Sequence, residues 1–168
     1  CKSLKMPWIY KSCYDKDCRS SLSSFHGVGI DEGLKILEGV RNEFGVPIVS
    51  DFSDPSDADL TGKVCDLIQV PAYLCRQTSI LRAASLTKKP IHLKKGQVMS
   101  PWNMKNSVRK IEEFKNHNIL LTDRGTFFGY NMLVNDMRNF SIMAETGYPV
   151  CFDATHSIQH PTSMGNIS

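Results

Sequence analysis

Ile91-His92-Leu93-Lys94-Lys95-Gly96-Gln97 is an apolar segment that runs directly into two adjacent lysines and a glycine. A short apolar run of this kind is typical of a buried strand, and the glycine marks a bend after it. Because unpaired charge in a dry interior is costly, cations at the end of such a strand favour a site for an anionic ligand at the rim of a sheet. A lysine pair alone is more often solvated surface charge, so the prediction depends on whether this layout recurs.

The layout does recur along the chain, as apolar runs that end in polar or charged residues. Strands are predicted at 8–13, 47–52, 67–70, 91–97, 118–125 and 149–156. Helices are predicted at 30–44, from a start at 53–56, at 77–86, from a start at 100–101 and at 131–146. Strands that are apolar throughout and alternate with amphipathic helices indicate an α/β fold with a parallel sheet covered by helices. Both an open doubly wound sheet and a (β/α)8 barrel satisfy this pattern.

The length and charge of the chain predict one domain over residues 1–168. A chain of 168 residues with 41% hydrophobic residues is long enough for one sizeable core. Lys and Arg number 20 against 17 Asp and Glu, which gives a net charge of +3 without a basic block. This balance gives no support to binding of nucleic acid or of a membrane surface. No apolar run approaches the roughly 20 residues that a membrane-spanning helix needs.

The six cysteines favour a reducing, cytoplasmic location. They are scattered, with no C-x-x-C pair and no zinc-finger spacing, so we expect free thiols. The chain opens on Cys1 and not on methionine, so a lost leader or a lost first segment stays open.

Polar side chains stand at the carboxyl ends of the predicted strands, where both candidate folds bind ligands. These residues are Lys11, Asp51, Gln69, Lys94, Arg124, and Asp153 with His156. Three cations at separate strand ends favour a shared anion site, although each alone is a common surface residue. The two aspartates are equally typical of buried partners or caps, and a lone histidine is more often a satisfied core residue than a metal ligand. Neither a G-x-G-x-x-G after the first strand nor a Walker sequence occurs, so no dinucleotide site or P-loop is indicated.

Longer motifs occur in order along nearly the whole chain. Lys11-Ser12-Cys13-Tyr14-Asp15-Lys16-Asp17-Cys18-Arg19-Ser20-Ser21 resembles the K-S-S-[FY]-D-K-A-N-R-[ST]-S stretch of the 3-deoxy-D-manno-octulosonate 8-phosphate synthase family. The further matches are Ile68-Gln69-Val70-Pro71-Ala72-Tyr73-Leu74-Cys75-Arg76-Gln77-Thr78, Leu93-Lys94-Lys95-Gly96-Gln97 with Ser100-Pro101-Trp102, Thr122-Asp123-Arg124-Gly125-Thr126 with Phe128-Gly129-Tyr130-Asn131, and Phe152-Asp153-Ala154-Thr155-His156-Ser157 with Gln159. Such a run of long motifs is far more specific than any single short pattern.

The resemblance implies a (β/α)8 TIM barrel, of which this chain carries approximately strands two to seven and lacks the first and last. It implies a transferase, which condenses phosphoenolpyruvate with arabinose 5-phosphate in an aldol-type reaction to give 3-deoxy-D-manno-octulosonate 8-phosphate and phosphate. In that reaction water adds at C2 of phosphoenolpyruvate while C3 attacks the sugar aldehyde. The product serves lipopolysaccharide biosynthesis. A homotetramer is the assembly that the resemblance implies.

The resemblance also implies roles for individual residues. The catalytic residues are Lys16, Asp51 and Lys94. The phosphoenolpyruvate site consists of Lys11, Gln69, Ala72, Lys94 and Arg124, and the arabinose 5-phosphate site of Lys16, Cys18, Arg19 and Ser20. His156 matches a histidine that binds a divalent metal in the metal-dependent branch, whose three other ligands lie outside this chain. The implied cofactor is therefore either none or a divalent metal.

Three positions depart from the family pattern. Cys18 replaces an asparagine beside the phosphate-binding arginine, which exchanges a strong amide donor for a weak thiol. His26 stands in place of an arginine, and Ser53 in place of a histidine. The phosphoenolpyruvate contacts are kept, whereas the sugar side is altered. Two alternatives to an active synthase therefore stay open: a truncated or degenerate non-catalytic relative, and a sister phosphoenolpyruvate-aldose phosphate synthase.

Overall fold

The computed structural model describes residues 1–160, along which strands and helices alternate. The strands are β1 (Tyr10–Lys11), β2 (Ile48–Asp51), β3 (Leu67–Val70), β4 (Ile91–Lys94), β5 (Ile119–Asp123), β6 (Thr126–Phe127), β7 (Leu133–Val134) and β8 (Val150–Phe152). The helices are α1 (Ile30–Phe44), α2 (Ala58–Val64), α3 (Thr78–Leu86), α4 (Met104–Glu113) and α5 (Arg138–Ala144). Each predicted strand and helix is present, most of them with shorter bounds. The hairpin strands β6 and β7 were not predicted.

The predicted single domain extends to residue 168, and residues 161–168 lie outside the described residues. Within residues 1–160, the structure contains no helix with the length and apolar character that crossing a membrane requires.

Six strands form one parallel sheet in the order β1-β2-β3-β4-β5-β8. The register places Gln69 opposite His92, and Lys94 opposite Thr122. A doubly wound sheet needs a reversal of strand order, and the described strands show none. Because β-α-β crossovers share one hand, unreversed winding places the helices on one face of the sheet and lets it curl. The sheet is a half-barrel, which confirms the predicted class of an incomplete (β/α)8 barrel.

The two faces of this sheet differ in chemistry. The face toward the helices is apolar, with the buried strand residues Ile48, Ile68, Val70, Ile91, Leu93, Ile119 and Leu121. Successive strand side chains point to opposite faces, so the other, concave face carries Lys11, Asp51, Gln69, His92, Lys94 and Thr122. The prediction that the strands are apolar throughout is therefore wrong for the concave face. The polar positions are few and sit near the strand ends, where they are easily read as loop residues.

The helix predicted at 131–146 is wrong over residues 131–137. This segment turns back in a hairpin, in which Thr126 of β6 pairs antiparallel with Val134 of β7. Asn131 has a φ of 56°, a left-handed conformation that an α-helix does not contain. Helix α5 begins at Arg138, whose backbone N–H donates to the Asp136 carboxylate at 3.0 Å. The short side chain of Asp136 thus supplies the start signal, seven residues later than the apolar spacing suggests.

Candidate active site

The carboxyl ends of the parallel strands open into one cleft of about 450 Å³. Every residue predicted for the substrate and metal sites lines it: Lys11, Lys16, Cys18, Arg19, Ser20, Asp51, Gln69, Ala72, Lys94, Arg124 and His156. The three strand-end cations therefore share one rim. Tyr73 and Gln159 line the same cleft. The sheet thus collects side chains that are far apart in sequence into one concave, largely cationic surface.

Lys94 is a buried cation at the end of β4, with 6% of the residue exposed. Its Nζ donates to Oδ2 of Asp153 at 2.5 Å. Burial lowers the pKa of Lys94, and the nearby Asp153 opposes that effect. The neighbouring cations Lys11 and Arg124 lower the same pKa further, which places all three charges within electrostatic reach of one another.

Asp153, just after β8, is held as a carboxylate by its neighbours. Its Oδ1 accepts the backbone N–H of His156 at 3.0 Å, and its Oδ2 accepts Nδ1–H of the same residue at 2.8 Å. Burial alone raises the pKa of Asp153, but the hydrogen bonds from His156 and Lys94 prevail and hold that pKa well below its usual range. The carboxylate can therefore offset the charge of Lys94 at neutral pH.

Lys11 and Asp51 form the opposite wall of the cleft, at the ends of β1 and β2. Lys11 Nζ lies 3.6 Å from Asp51 Oδ1, too far for a tight hydrogen bond, and its side chain keeps 38% of its surface exposed. Cys13 lies beside them. Burial raises the pKa of the Cys13 thiol to about 12, and the negative charge of Asp51 adds to this rise. Lys11 is thus a loosely held cation that can turn toward a ligand.

Arg124, one residue past β5, has hydrogen-bonding capacity left over. Its Nη2 donates to the carbonyl of His156 at 3.1 Å and to Gln159 Oε1 at 3.0 Å. Its Nε is buried without a hydrogen-bond partner, and so is Oε1 of Gln69, a residue with 2% exposure. Burial also lowers the pKa of Arg124. Unpaired polar atoms are costly in a folded chain, so their presence in one cleft indicates a place for a polar ligand.

The loop between β1 and α1 supplies the remaining cleft residues, Lys16, Cys18, Arg19 and Ser20, all of them exposed. Tyr14 anchors this loop, because its hydroxyl lies 3.1 Å from Thr61 Oγ1 and its ring packs against Gly33 of α1. A Cβ on Gly33 would lie 2.2 Å from Cβ of Tyr14, so only glycine permits this contact. The base of the loop is therefore fixed, while its charged tip faces solvent.

His92 was not among the predicted site residues. It lies on the concave face two positions before Lys94, and its Nε2 is hydrogen-bonded to Oγ1 of Thr122. Burial first, and then the positive charges of Lys94 and Lys11, lower the pKa of His92 from an ordinary 6.5 to about 4. The His92 imidazole, on the concave face beside Lys94, is therefore neutral at pH 7. The two-residue spacing from Lys94 is the sequence signal that could have identified it.

Comparison with known proteins matches the profile of the DAHP synthetase I family to residues 1–166. The chain belongs to the DAHP synthetase I family. Two relatives in this family are named 2-dehydro-3-deoxyphosphooctonate aldolase. The protein from Protochlamydia amoebophila (strain UWE25) is 53% identical over 160 residues, which are 95% of this chain and 58% of the relative. The protein from Rickettsia rickettsii (strain Sheila Smith) is 51% identical over 162 residues, 96% of this chain and 59% of the relative.

A third member of the DAHP synthetase I family extends the match to the full chain. The 2-dehydro-3-deoxyphosphooctonate aldolase of Geotalea daltonii is 48% identical over 168 residues, which are 100% of this chain and 62% of that protein. The aldolase name denotes the 8-phosphate synthase that the motifs resemble, so the predicted resemblance is confirmed. The chain spans less than two thirds of the length of these relatives.

His156 is the one residue of this chain that the resemblance predicts as a metal ligand. Its Nδ1 is hydrogen-bonded to Asp153, which leaves Nε2 as the ring nitrogen able to bind a metal. Residues 1–160 contain no group of three or more His, Cys, Asp or Glu side chains arranged to hold a metal ion. The described residues therefore do not form a metal site by themselves, and the chemistry below assigns no step to a metal.

Proposed function

We propose that this chain carries the substrate-binding face of an enzyme that condenses phosphoenolpyruvate with arabinose 5-phosphate. The observation that carries the proposal is the convergence of Lys11, Lys94 and Arg124, from three separate strand ends, on one cleft. The names of the relatives support the same activity. The products are 3-deoxy-D-manno-octulosonate 8-phosphate and inorganic phosphate.

Phosphoenolpyruvate suits the cationic part of this cleft. It carries a carboxylate and a phosphate on a three-carbon frame, so it needs several cations that converge from different directions. Arg124 has a buried, unpaired Nε to donate, and Lys94 already carries its charge in a shielded position. Gln69 and Ala72 line the floor beside them. Fixed cations in such a cleft also stabilise negative charge that develops during addition to the enol phosphate.

The sugar phosphate binds, in this proposal, at the loop after β1. Arg19 and Ser20 hold its phosphate, with Cys18 beside them, and Lys16 reaches the aldehyde end. C3 of phosphoenolpyruvate then forms a bond to the aldehyde carbon while water adds to C2. The aldehyde oxygen gains negative charge that the Lys16 ammonium stabilises. Holding both substrates in register lowers the entropic part of the barrier.

Asp51 lies close to Lys11 and lines the cleft that holds both proposed substrate sites. We assign it as the acceptor of the proton that the attacking water loses when its oxygen bonds to C2. The resulting C2 adduct carries both a hydroxyl and the phosphate group. Its C2–O bond to phosphate breaks, and inorganic phosphate leaves with the proton of the C2 hydroxyl, which becomes the keto group of the product. The proton held by Asp51 returns to the former aldehyde oxygen, which becomes a hydroxyl.

The sugar side of the cleft favours a second candidate function. Cys18 and Ser53 line the cleft at positions where the family pattern has stronger hydrogen-bonding side chains. The loop that carries Cys18, Arg19 and Ser20 is exposed. These substitutions fit an enzyme that condenses phosphoenolpyruvate with another aldose phosphate, or a relative that binds phosphoenolpyruvate without turnover.

The experiment is an assay of inorganic phosphate released from phosphoenolpyruvate by the chain. We expect release that depends on arabinose 5-phosphate and exceeds release with erythrose 4-phosphate. A preference for erythrose 4-phosphate replaces the first candidate with the second. If neither aldose causes phosphate release but calorimetry shows that phosphoenolpyruvate binds, the chain is a binding protein without turnover. Failure to bind phosphoenolpyruvate overturns the proposal entirely.

A homotetramer remains a prediction from the resemblance, and a cytoplasmic location remains a prediction from the cysteines. Sedimentation velocity of the chain across a range of protein concentrations measures the assembly directly. A sedimenting species of four chains supports the prediction, and a monomer at all concentrations contradicts it.

A further inference from the structure

A second ion pair lies directly behind the cleft, on the helix-facing side of the sheet. Lys95 Nζ is 3.1 Å from Asp123 Oδ1, and the two side chains are 0% and 1% exposed. Neither residue lines the cleft. The pair joins the end of β4 to the end of β5, which are neighbours in the sheet.

The pair is the centre of a buried polar network. Lys95 Nζ also donates to Thr126 Oγ1 at 3.0 Å and to the Met99 carbonyl at 3.3 Å. The second carboxylate oxygen of Asp123 accepts from Asn139 Nδ2 at 3.0 Å. These bonds connect the loop after β4, the hairpin after β5 and helix α5. The loop after β4 and the hairpin after β5 therefore share one fixed attachment.

The position of the pair in the chain connects it to the cleft. Lys95 follows Lys94, and Asp123 precedes Arg124, so each member of the pair is the direct neighbour of a cleft cation. Successive side chains in extended backbone point to opposite sides. Holding Lys95 against Asp123 on one side therefore sets the spacing and direction of Lys94 and Arg124 on the other. We propose that the Lys95–Asp123 pair positions Lys94 and Arg124 to grip a doubly anionic ligand.

Energetics favour this role over one in stability alone. A buried ion pair loses so much hydration that apolar residues of similar volume often give equal or greater stability. What an apolar pair cannot supply is the set of directional hydrogen bonds that Lys95 donates to Thr126 and Met99 and that Asp123 accepts from Asn139. The inference rests on the proposed phosphoenolpyruvate site, and it concerns residues that do not touch the ligand.

The test compares a double variant with a matched control. Lys95→Met with Asp123→Leu removes the pair and keeps its apolar bulk. Lys63→Met with Asp59→Leu makes the same changes in an exposed pair on α2, where the charged atoms are 2.7 Å apart. Thermal unfolding reports on folding, and calorimetry measures the dissociation constants of phosphoenolpyruvate and of inorganic phosphate.

We expect the parent chain and the double variant both to unfold cooperatively, and the double variant to bind phosphoenolpyruvate at least tenfold more weakly. Affinity for inorganic phosphate, which needs only one of the cations, should change by less than threefold. The exposed-pair control should leave both constants unchanged. A general loss of structure would weaken both ligands together, so the ratio of the two constants separates positioning from stability.

A second variant covers the case in which the double variant does not fold. Asp123→Asn keeps the size of the side chain and its contact with Asn139 but removes the charge, and it should shift the same ratio at least threefold. If the parent chain binds phosphoenolpyruvate and a folded variant keeps the parental ratio, the positioning role is overturned. If neither variant folds, the pair is a requirement for folding and the positioning role is likewise overturned. Absence of phosphoenolpyruvate binding by the parent chain overturns the proposed function instead.

Discussion

Lys94 and Asp153 meet across the concave face of the sheet, with Nζ 2.5 Å from Oδ2, although β5 separates their strands and 59 positions separate them in sequence. The two residues differ in the number of hydrogen bonds that hold them. Asp153 also accepts two hydrogen bonds from His156, whereas Nζ of Lys94 has this carboxylate as its one hydrogen-bond acceptor among residues 1–160. Each partner can therefore be removed with a different consequence.

Replacing Asp153 should destabilise the fold more than replacing Lys94. Asp153→Asn leaves a buried ammonium without a counter-charge, and we expect a loss of about 3 kcal/mol in the free energy of unfolding. Lys94→Met leaves Asp153 with its His156 hydrogen bonds and should cost less than half as much. Phosphoenolpyruvate binding should show the reverse order, with the larger loss in Lys94→Met. Urea denaturation and calorimetry measure the two quantities, and equal effects in both would contradict the asymmetry.

Arg124→Lys should weaken phosphoenolpyruvate binding at least tenfold. A single ammonium cannot reach the His156 carbonyl and Gln159 Oε1 and still present the donor that Nε offers. The matched control is Arg109→Lys on the exposed side of α4, which should leave the dissociation constant unchanged. Titration calorimetry on both variants makes the comparison, and parental affinity in Arg124→Lys would remove this residue from the proposed site.

The free energy of unfolding should fall as the pH falls from 6.5 to about 4, because His92 is buried and neutral. Within this window the unfolded chain binds a proton at His92 that the folded chain does not, so acid favours unfolding. The shift corresponds to a loss on the order of 3 kcal/mol. His92→Gln should flatten this part of the pH profile in urea denaturation. The exposed His117, changed to Gln, should leave the profile as it is.

Replacing each of two glycines of α1 with alanine should change the stability of the fold in opposite directions. At Gly33 a Cβ would lie 2.2 Å from Tyr14 Cβ and 3.1 Å from its Cα, so Gly33→Ala should displace the anchor of the loop after β1 and cost about 1 to 3 kcal/mol. At Gly39 nothing lies within 4 Å, and alanine should stabilise the helix by up to about 1 kcal/mol. Thermal unfolding of both variants checks this, and similar melting temperatures would contradict the packing of Tyr14 against α1.

Cys18→Asn should strengthen binding of the sugar phosphate. An amide donor replaces a weak thiol donor, and one added hydrogen bond of about 1 kcal/mol lowers KM for arabinose 5-phosphate about fivefold. KM for phosphoenolpyruvate should stay constant, since Cys18 belongs to the loop side of the cleft. Steady-state assays of phosphate release give both constants. The control is Cys1→Asn at an exposed position, and an equal effect there would argue against a specific contact.

The sequence predicted those parts of the fold and site that depend on local pattern. Apolar runs marked each strand of the parallel sheet, and in such a sheet every strand end reaches the same edge. That rule alone was enough to predict that Lys11, Lys94 and Arg124 come together. The choice of a barrel over a doubly wound sheet needed the family resemblance, because both folds produce the same alternation of strands and helices.

What the sequence could not predict depends on register and on contacts between distant segments. The Lys95–Asp123 pair could not be predicted, because the sequence does not show whether a lysine is buried or exposed to solvent. Tertiary packing alone decides this. His92 was missed because its neighbours made the whole strand look apolar. The hairpin of β6 and β7 was missed because Leu133 and Val134 fit a helical spacing. The positive φ of Asn131 could not be predicted from the residue type alone.

The loop between β1 and α1 faces Lys94 and Arg124 across one cleft but belongs to a different segment of the chain. Tyr14 attaches the base of this loop to α1 and α2. Within the proposed function, the loop recognises the acceptor aldose and the strand ends recognise the enol phosphate. Sequence changes confined to the loop would therefore alter mainly the choice of acceptor. Grafting residues 12–29 between members of the family would make such a change in the laboratory.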